Sequence, residues 1–268
     1  MSLLALVLYL AVGAVAGLLA GLLGVGGGLV IVAALAWILP AQGVPPGAVM
    51  HVALATSLAT ILATSLSSTR AHLARGSVMW PTVRALVPGL LLGGVLGALL
   101  ADRLPEIVLR LGVAGFCFAA GWQLATRRPV PEGEAGTVPA GAGLVAWGGV
   151  IGAVSALVGI GGGSMTVPLL IHRGARAVRA VGTSAACGFA IALASAAGYV
   201  WGGRDATGLP AGTWGYVHLP AAGAIALVSV LLAPAGAALA HRLRGAVLQR
   251  LFASFLVLMG CAVLAAAR

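Results

Sequence analysis

The chain has 268 residues, of which 61% are hydrophobic and 7% are charged, with a mean hydropathy of +1.11. A soluble domain clothes itself with close to a quarter charged residues, so this composition excludes one and leaves an integral membrane protein. The formal charge of +10 comes from fifteen arginines and no lysine against five acids; the arginines cluster at the ends of apolar segments, which marks cytoplasmic loops and not a nucleic-acid partner.

Apolar helices are predicted over 3–23, 27–39, 48–69, 82–101 and 107–126, then over 142–158, 163–171, 180–201, 215–240 and 246–266. The first has no basic stretch before it and runs past any cleavage position, so it reads as a membrane segment rather than a signal peptide. It carries Gly13, Gly17 and Gly21 at four-residue spacing, as 82–101 carries Gly89, Gly93 and Gly97; both rows read as faces for close helix packing. A glycine run, LLGVGGGLVIVAAL (Leu22 to Leu35), separates the first two segments. The third opens at His51 and holds Thr56 and Ser57. Arg110 lies one turn inside 107–126 and Arg250 takes a related place in the last segment; each reads as snorkelling to the interface, with a place on an anion path as the alternative. The polar stretch TRRPVPEGEAGTVPAG (Thr126 to Gly141) divides the chain. This gives a first membrane repeat over 1–126, a cytoplasmic linker over 127–141 and a second membrane repeat over 142–268.

In the second repeat LVGIGGGSMTVPLL (Leu157 to Leu170) matches the first glycine run, Thr183 and Ser184 match Thr56 and Ser57, and His218 opens 215–240. His51 and His218 read as interfacial, while His72, His172 and His241 accompany arginines and read as solvated. Trp37, Trp80, Trp201 and Trp214 fall near segment ends, as aromatic belts do. Cys117, Cys187 and Cys261 lack metal-ligand spacing and read as small packing residues.

Three stretches recur in the same order: Gly24–Gly28 with Gly159–Gly163, LATS (54–57) with VGTS (181–184), and GALLADRL (97–104) with GAALAHRL (236–243). An internal duplication explains this. Segments 27–39 and 163–171 are too short to cross about 30 Å of hydrocarbon, which takes roughly 20 helical residues. If each pairs with its predecessor as a hairpin, Arg70, Arg75, Arg84, Arg127, Arg128, Arg173, Arg176, Arg179, Arg242 and Arg244 share one side. Asp102, Arg103, Glu106, Arg204 and Asp205 then face the other. Treating each broken pair as one crossing puts arginines 173–179 and 242–244 outside, against the positive-inside rule. The expected fold is therefore all-α and polytopic. It has two inverted-topology repeats, each a glycine-broken hairpin plus three spanning helices, with both termini outside.

The five acids, Asp102, Glu106, Glu132, Glu134 and Asp205, lie in or beside loops. With no carboxylate inside a span, an anionic or neutral solute is favoured over a carboxylate-based cation path. A helix that starts just after glycines presents unpaired N–H groups and a positive dipole end, and successive free amides form an anion-binding concavity. Gly24, Gly26, Gly27 and Gly28, with Gly159, Gly161, Gly162 and Gly163, are thus the candidate anion-holding tips. Ser164, Thr166, Thr56, Ser57, Thr183 and Ser184 are the candidate hydroxyl donors. No Gly-Lys-Ser/Thr follows either run, which excludes a nucleotide P-loop. No cofactor or metal site is predicted. Backbone carbonyls can hold Na+ without leaving a mark in sequence, so a coupling ion, H+ or Na+, stays open. A small-residue face offers a route to a homodimer.

GIGGGSMTVPLL followed by AVGTS, with RAHLARGSVMW (Arg70 to Trp80) and GYVHLP (Gly215 to Pro220), resembles the TauE/SafE sulfite-exporter family over essentially the whole chain. The resemblance implies a membrane carrier of a small sulfur anion such as sulfite, thiosulfate or a sulfonate like sulfoacetate; the inverted repeats add alternating access, and a bacterial source would place it in the cytoplasmic (inner) membrane. One departure is visible: Ala33 stands where the second copy has Pro168. The rival readings are a passive anion channel and an intramembrane enzyme. The latter needs a nucleophile and base at one depth, and the histidines lie at segment ends away from the candidate serines.

Overall fold

The computed structural model describes residues 3–23, 27–126, 141, 143–240 and 245–266. In chain order the helices are α1 (Leu3–Leu23), α2 (Gly28–Ile38), α3 (Val49–Leu73), α4 (Trp80–Asp102), α5 (Glu106–Thr126), α6 (Gly143–Val158), α7 (Gly163–His172), α8 (Ala177–Gly202), α9 (Leu219–Ala240) and α10 (Gly245–Ala265). Six of these, α1, α3, α4, α5, α8 and α9, are long and apolar enough to cross a membrane, whereas α2 and α6 are apolar but shorter. Pro81 and Pro220 occupy the second positions of α4 and α9, where the missing N–H would have no helical partner anyway. The segment expected as one helix from 215 starts instead at Leu219. A two-residue hairpin, β1 (Thr213–Trp214) and β2 (Val217–His218), precedes it. Gly215 turns that hairpin at φ 55 and lies against the Val200 backbone.

Short polar contacts sort the helix termini into two ends. At one end the Val49 N–H donates to Glu106 (3.2 Å), His51 Nε2 lies 3.1 Å from the Ala101 carbonyl, Tyr216 donates to Asp102 (3.0 Å) and Trp37 Nε1 donates to the Ala262 carbonyl (2.9 Å). At the other end the Met79 N–H donates to Thr183 Oγ1 (2.9 Å), Gly182 abuts Ser77, and Gly121 faces Ala253. Arg70, Arg75, Arg84, Arg173, Arg176 and Arg179 belong to this second end, and Asp102, Arg103, Glu106, Arg204 and Asp205 to the first. Arg127, Arg128, Arg242 and Arg244 lie outside the described residues.

The small-residue rows pack as expected. Gly89, Gly93 and Gly97 of α4 lie on the backbone of Val145, Gly149 and Ala153 in α6, while Gly13 and Gly17 of α1 lie on Ile225 and Ser229 in α9. In each pair residue numbers rise together, so the two helices run parallel. The contacts also come in mates. Gly97 lies on Ala153 as Gly236 lies on Leu18; Gly13 lies on Ile225 as Gly148 lies on Leu86; Gly17 lies on Ser229 as Gly152 lies on Leu90. Thr56 Oγ1 accepts the His218 N–H (3.0 Å) as Thr183 Oγ1 accepts the Met79 N–H (2.9 Å). Every one of these pairs becomes its mate when each residue is exchanged for its counterpart in the sequence duplication.

Four side chains sit differently from expectation. His51 and His218 are buried, not interfacial: His51 stacks on Tyr216 with ring centroids 5.1 Å apart, and the His218 Nδ1 accepts the Ala221 N–H at 3.3 Å. His72 is buried too, with its Nδ1 3.3 Å from Ser77 Oγ where α3 ends. Arg110 does not snorkel. It is buried, pairs with Glu106 one turn earlier and donates to the Val263 carbonyl (3.1 Å), tying α5 to α10. Each buried polar group has a partner: a local one for His72 and His218, a distant carbonyl for His51, and one of each kind for Arg110.

Candidate functional site

The site grows from the glycines. Gly27 precedes α2 at φ 65 and Gly162 precedes α7 at φ 72, both in the left-handed region that a residue with a Cβ adopts only under strain. Their carbonyls cap the new helices alike: Gly27 accepts from Val30 (3.1 Å) and Ile31 (3.3 Å), and Gly162 accepts from Met165 (3.1 Å) and Thr166 (2.8 Å). The amides of Gly28, Leu29, Gly163 and Ser164 thus open helices, the place where N–H groups lack an intrahelical acceptor. Gly24 and Gly26 lie outside the described residues.

The two hairpins come from opposite ends and meet. α1 and α2 join at the glycines and return to the end where Trp37 bonds Ala262, whereas α6 and α7 return to the arginine-rich end. Gly28 lies directly on the Gly159 carbonyl, beside Ile61 at the middle of α3, with Gly159 also against Val32 and Leu54. A Cβ at Gly28 has no room. Ser57, fully buried, has its hydroxyl 3.1 Å from the Gly28 carbonyl and 2.9 Å from the Gly159 carbonyl. One hydroxyl hydrogen is therefore shared between the two tips.

On the arginine-rich side of this contact, α3 and α8 enclose a cavity of about 10 Å3, room for a single water. Its polar lining is Thr64, Ser65, Ser68, Ser184 and the Gly161 backbone. Thr64 and Ser65 donate back to the helix carbonyls of Ile61 (3.3 Å) and Leu62 (3.2 Å). Ser184 and Ser68, 1% and 7% exposed, have hydroxyls with no partner. The predicted residues divide accordingly. Gly161 and Ser184 line the cavity and Ser57 bridges the tips. Thr56 and Thr183 face away from it and accept an N–H at the starts of α9 and α4. Ser164 and Thr166 are near the start of α7 with unpartnered hydroxyls but do not line the cavity. Nothing in the sequence sets Thr64, Ser65 and Ser68 apart as site residues, although the run ATSLSSTR (63–70) places them on one face of α3.

Among the described residues no charged side chain lines the cavity. The starts of α2 and α7, positive ends of their helix dipoles, lie at the adjoining tip contact. At the opposite end, outside the spanning helices, burial lowers the His218 pKa. Burial, with the bond to Asp102, pushes the Tyr216 hydroxyl up to about 12. Both are therefore neutral at neutral pH.

Over most of its length the sequence is similar to known membrane proteins. The family model described as sulfite exporter TauE/SafE matches residues 9–263. A probable membrane transporter protein of Haemophilus influenzae is 34% identical over 255 residues, covering 95% of this chain and 96% of that one. The probable membrane transporter protein YunE of Bacillus subtilis is 37% identical over 89 residues, 33% of this chain and 30% of that one. No solved structure matches the chain. A match over nearly the full length, on a fold with six helices able to span a bilayer, leaves one conclusion: the chain belongs to the sulfite exporter TauE/SafE family of membrane transporters.

Proposed function

We propose that the protein moves a small sulfur oxyanion (sulfite, thiosulfate or a sulfonate such as sulfoacetate) across the cytoplasmic membrane by alternating access. The arginine-rich end faces the cytoplasm, as the positive-inside rule requires, and both termini face outward. The mated contacts of α1 with α9 and α6 with α4 support two repeats inverted about an axis in the membrane plane. The observation that carries the reading is the pair of unpartnered hydroxyls of Ser68 and Ser184 facing one cavity beside Gly161, next to the contact of the two tips. Buried hydroxyls without partners are uncommon and costly. An oxyanion would satisfy both together with the amides at the start of α7. At about 10 Å3 the cavity holds water and not an anion, so binding widens the space between α3 and α8.

A thermal-shift screen of the purified protein against sulfite, thiosulfate, sulfoacetate, taurine and sulfate tests this. A ligand at about 100 times its Kd stabilises the folded state by about 2.7 kcal/mol, a rise in Tm of several degrees. Ser184→Ala and Ser68→Ala should each shrink that rise without lowering the ligand-free Tm. A flat response to every sulfur oxyanion would remove the proposal. Flux that saturates and shows counter-transport identifies a carrier, and linear flux identifies a channel.

A further inference from the structure

We infer that Ser57, Ser155 and Ser195 form a second oxyanion half-site, shut in this structure, that receives the solute when the opposite end opens. The inference rests on the transport reading above and adds residues to it. The mated contacts fix which residues correspond. By the spacing that pairs Thr56 with Thr183, Ser68 corresponds to Ser195 and Ser184 to Ser57. By the spacing that pairs Leu18 with Ala153, Ala20 corresponds to Ser155. The counterpart of this four-hydroxyl cavity therefore carries hydroxyls as well, those of Ser57, Ser155 and Ser195, on the other side of the tip contact.

Those hydroxyls are in an unusual condition. Ser155 and Ser195 are 0% exposed, and neither has a hydrogen-bond partner. A serine in a helix can normally turn its hydroxyl onto a carbonyl one turn back, as Thr60 does to Thr56 (2.9 Å) and Ser65 does to Leu62 (3.2 Å). Ser155 Oγ instead faces Gly162 of the tip, 3.3 Å from where a Cβ would stand, and Ser195 Oγ faces Gly94, 3.0 Å from its Cβ position. Each looks onto a glycine that offers it nothing. Around them the space is filled: Leu58 and Ile191, both fully buried, hold the positions that Ala185 and Thr64 hold in the open cavity. Ser57, the third member, spends its hydrogen on the two tip carbonyls. Moving the tips apart would break that shared bond, free the Ser57 hydroxyl and let solute oxygens reach Ser155 and Ser195. At the same time the mated cavity around Ser68 and Ser184 would close.

Thiol accessibility in the full chain tests this, with Cys117, Cys187 and Cys261 replaced by alanine. Ser68→Cys and Ser195→Cys are labelled separately with a membrane-impermeant charged methanethiosulfonate in right-side-out and inside-out vesicles, with and without sulfoacetate. The Ser68→Cys thiol should react from the arginine-rich side and the Ser195→Cys thiol from the opposite side, and sulfoacetate should slow both about tenfold. Ser155→Cys should behave as Ser195→Cys and stands in if that variant does not fold. Ser195→Ala should keep the sulfoacetate thermal shift and lower sulfoacetate counterflow about tenfold. The inference is overturned if the Ser195→Cys thiol reacts from the same side as Ser68→Cys, or from neither side in a variant that still transports, or if Ser195→Ala transports normally. Protection at Ser68→Cys with none at Ser195→Cys sinks this inference alone. Protection at neither, with no thermal shift from any sulfur oxyanion, sinks the transport reading beneath it.

Discussion

Ser57 shows how much one hydroxyl can hold in a dry interior. It lies within 3.1 Å of two carbonyls from different hairpins, and both belong to glycines at helix breaks. Ser57→Ala keeps the packing but takes the shared hydrogen from both carbonyls. Leaving buried acceptors unsatisfied costs about 1–3 kcal/mol, so the variant's Tm in detergent should fall by several degrees. An unchanged Tm would mean that water or another donor already serves those carbonyls. His218 makes a different prediction. Burial lowers its pKa in the folded state, so the unfolded chain binds the proton more readily. Stability should be full above the unfolded value of about 6.5 and fall as the pH drops below it. His218→Gln, which cannot titrate, should flatten that dependence in a series of melts between pH 8 and pH 5. A slope that survives the substitution would assign the titration to another group.

Among elements, the hairpins are the parts under most constraint. α2 and α7 are too short to span, so their inner ends stop at the middle of the molecule, and there the two chains touch through glycine. Gly28→Ala would drive a methyl group into the Gly159 carbonyl. The tips would have to separate and the Ser57 bond would weaken with them. The expected result is a lower Tm and a loss of transport larger than that of Ser57→Ala, measured as counterflow in proteoliposomes. Wild-type counterflow would show that close contact of the tips is dispensable. Gly162→Leu is a poor probe of the site. At φ 72 and against Ile191, any side chain there strains the backbone whatever the site does.

At the scale of the molecule, charge and packing agree. The described arginines of the 70–84 and 173–179 stretches gather at one end, with Asp102, Glu106 and Asp205 at the other. In a cysteine-free background, Arg75→Cys and Arg173→Cys should be labelled by an impermeant reagent only from the cytoplasmic side, and Arg204→Cys only from outside. Labelling of Arg75→Cys and Arg173→Cys from opposite sides would break the hairpin topology. The packing that sets this arrangement is exchanged between halves. α1 lies on α9 and α6 lies on α4, so neither half closes its own small-residue faces.

The sequence alone determined the membrane class, the positions of the ten helices to within a few residues and the two glycine breaks. Those properties are local: apolar length sets a span, and a run of glycines ends a helix wherever it falls. The order of three recurring stretches also points to an internal duplication. Only the tertiary structure decided which hydroxyls face a cavity. Thr56 and Thr183 look like ligands in sequence, yet they accept backbone N–H groups of His218 and Met79, while Ser68, Ser155 and Ser195 look like ordinary helix residues and are left without partners. Only the tertiary structure, likewise, buried His51, His218 and Arg110. The physical reason is the same in each case. A polar side chain's role depends on what the fold brings within 3 Å or so, and for Thr56, Thr183 and Arg110 that includes a group from the other half of the chain.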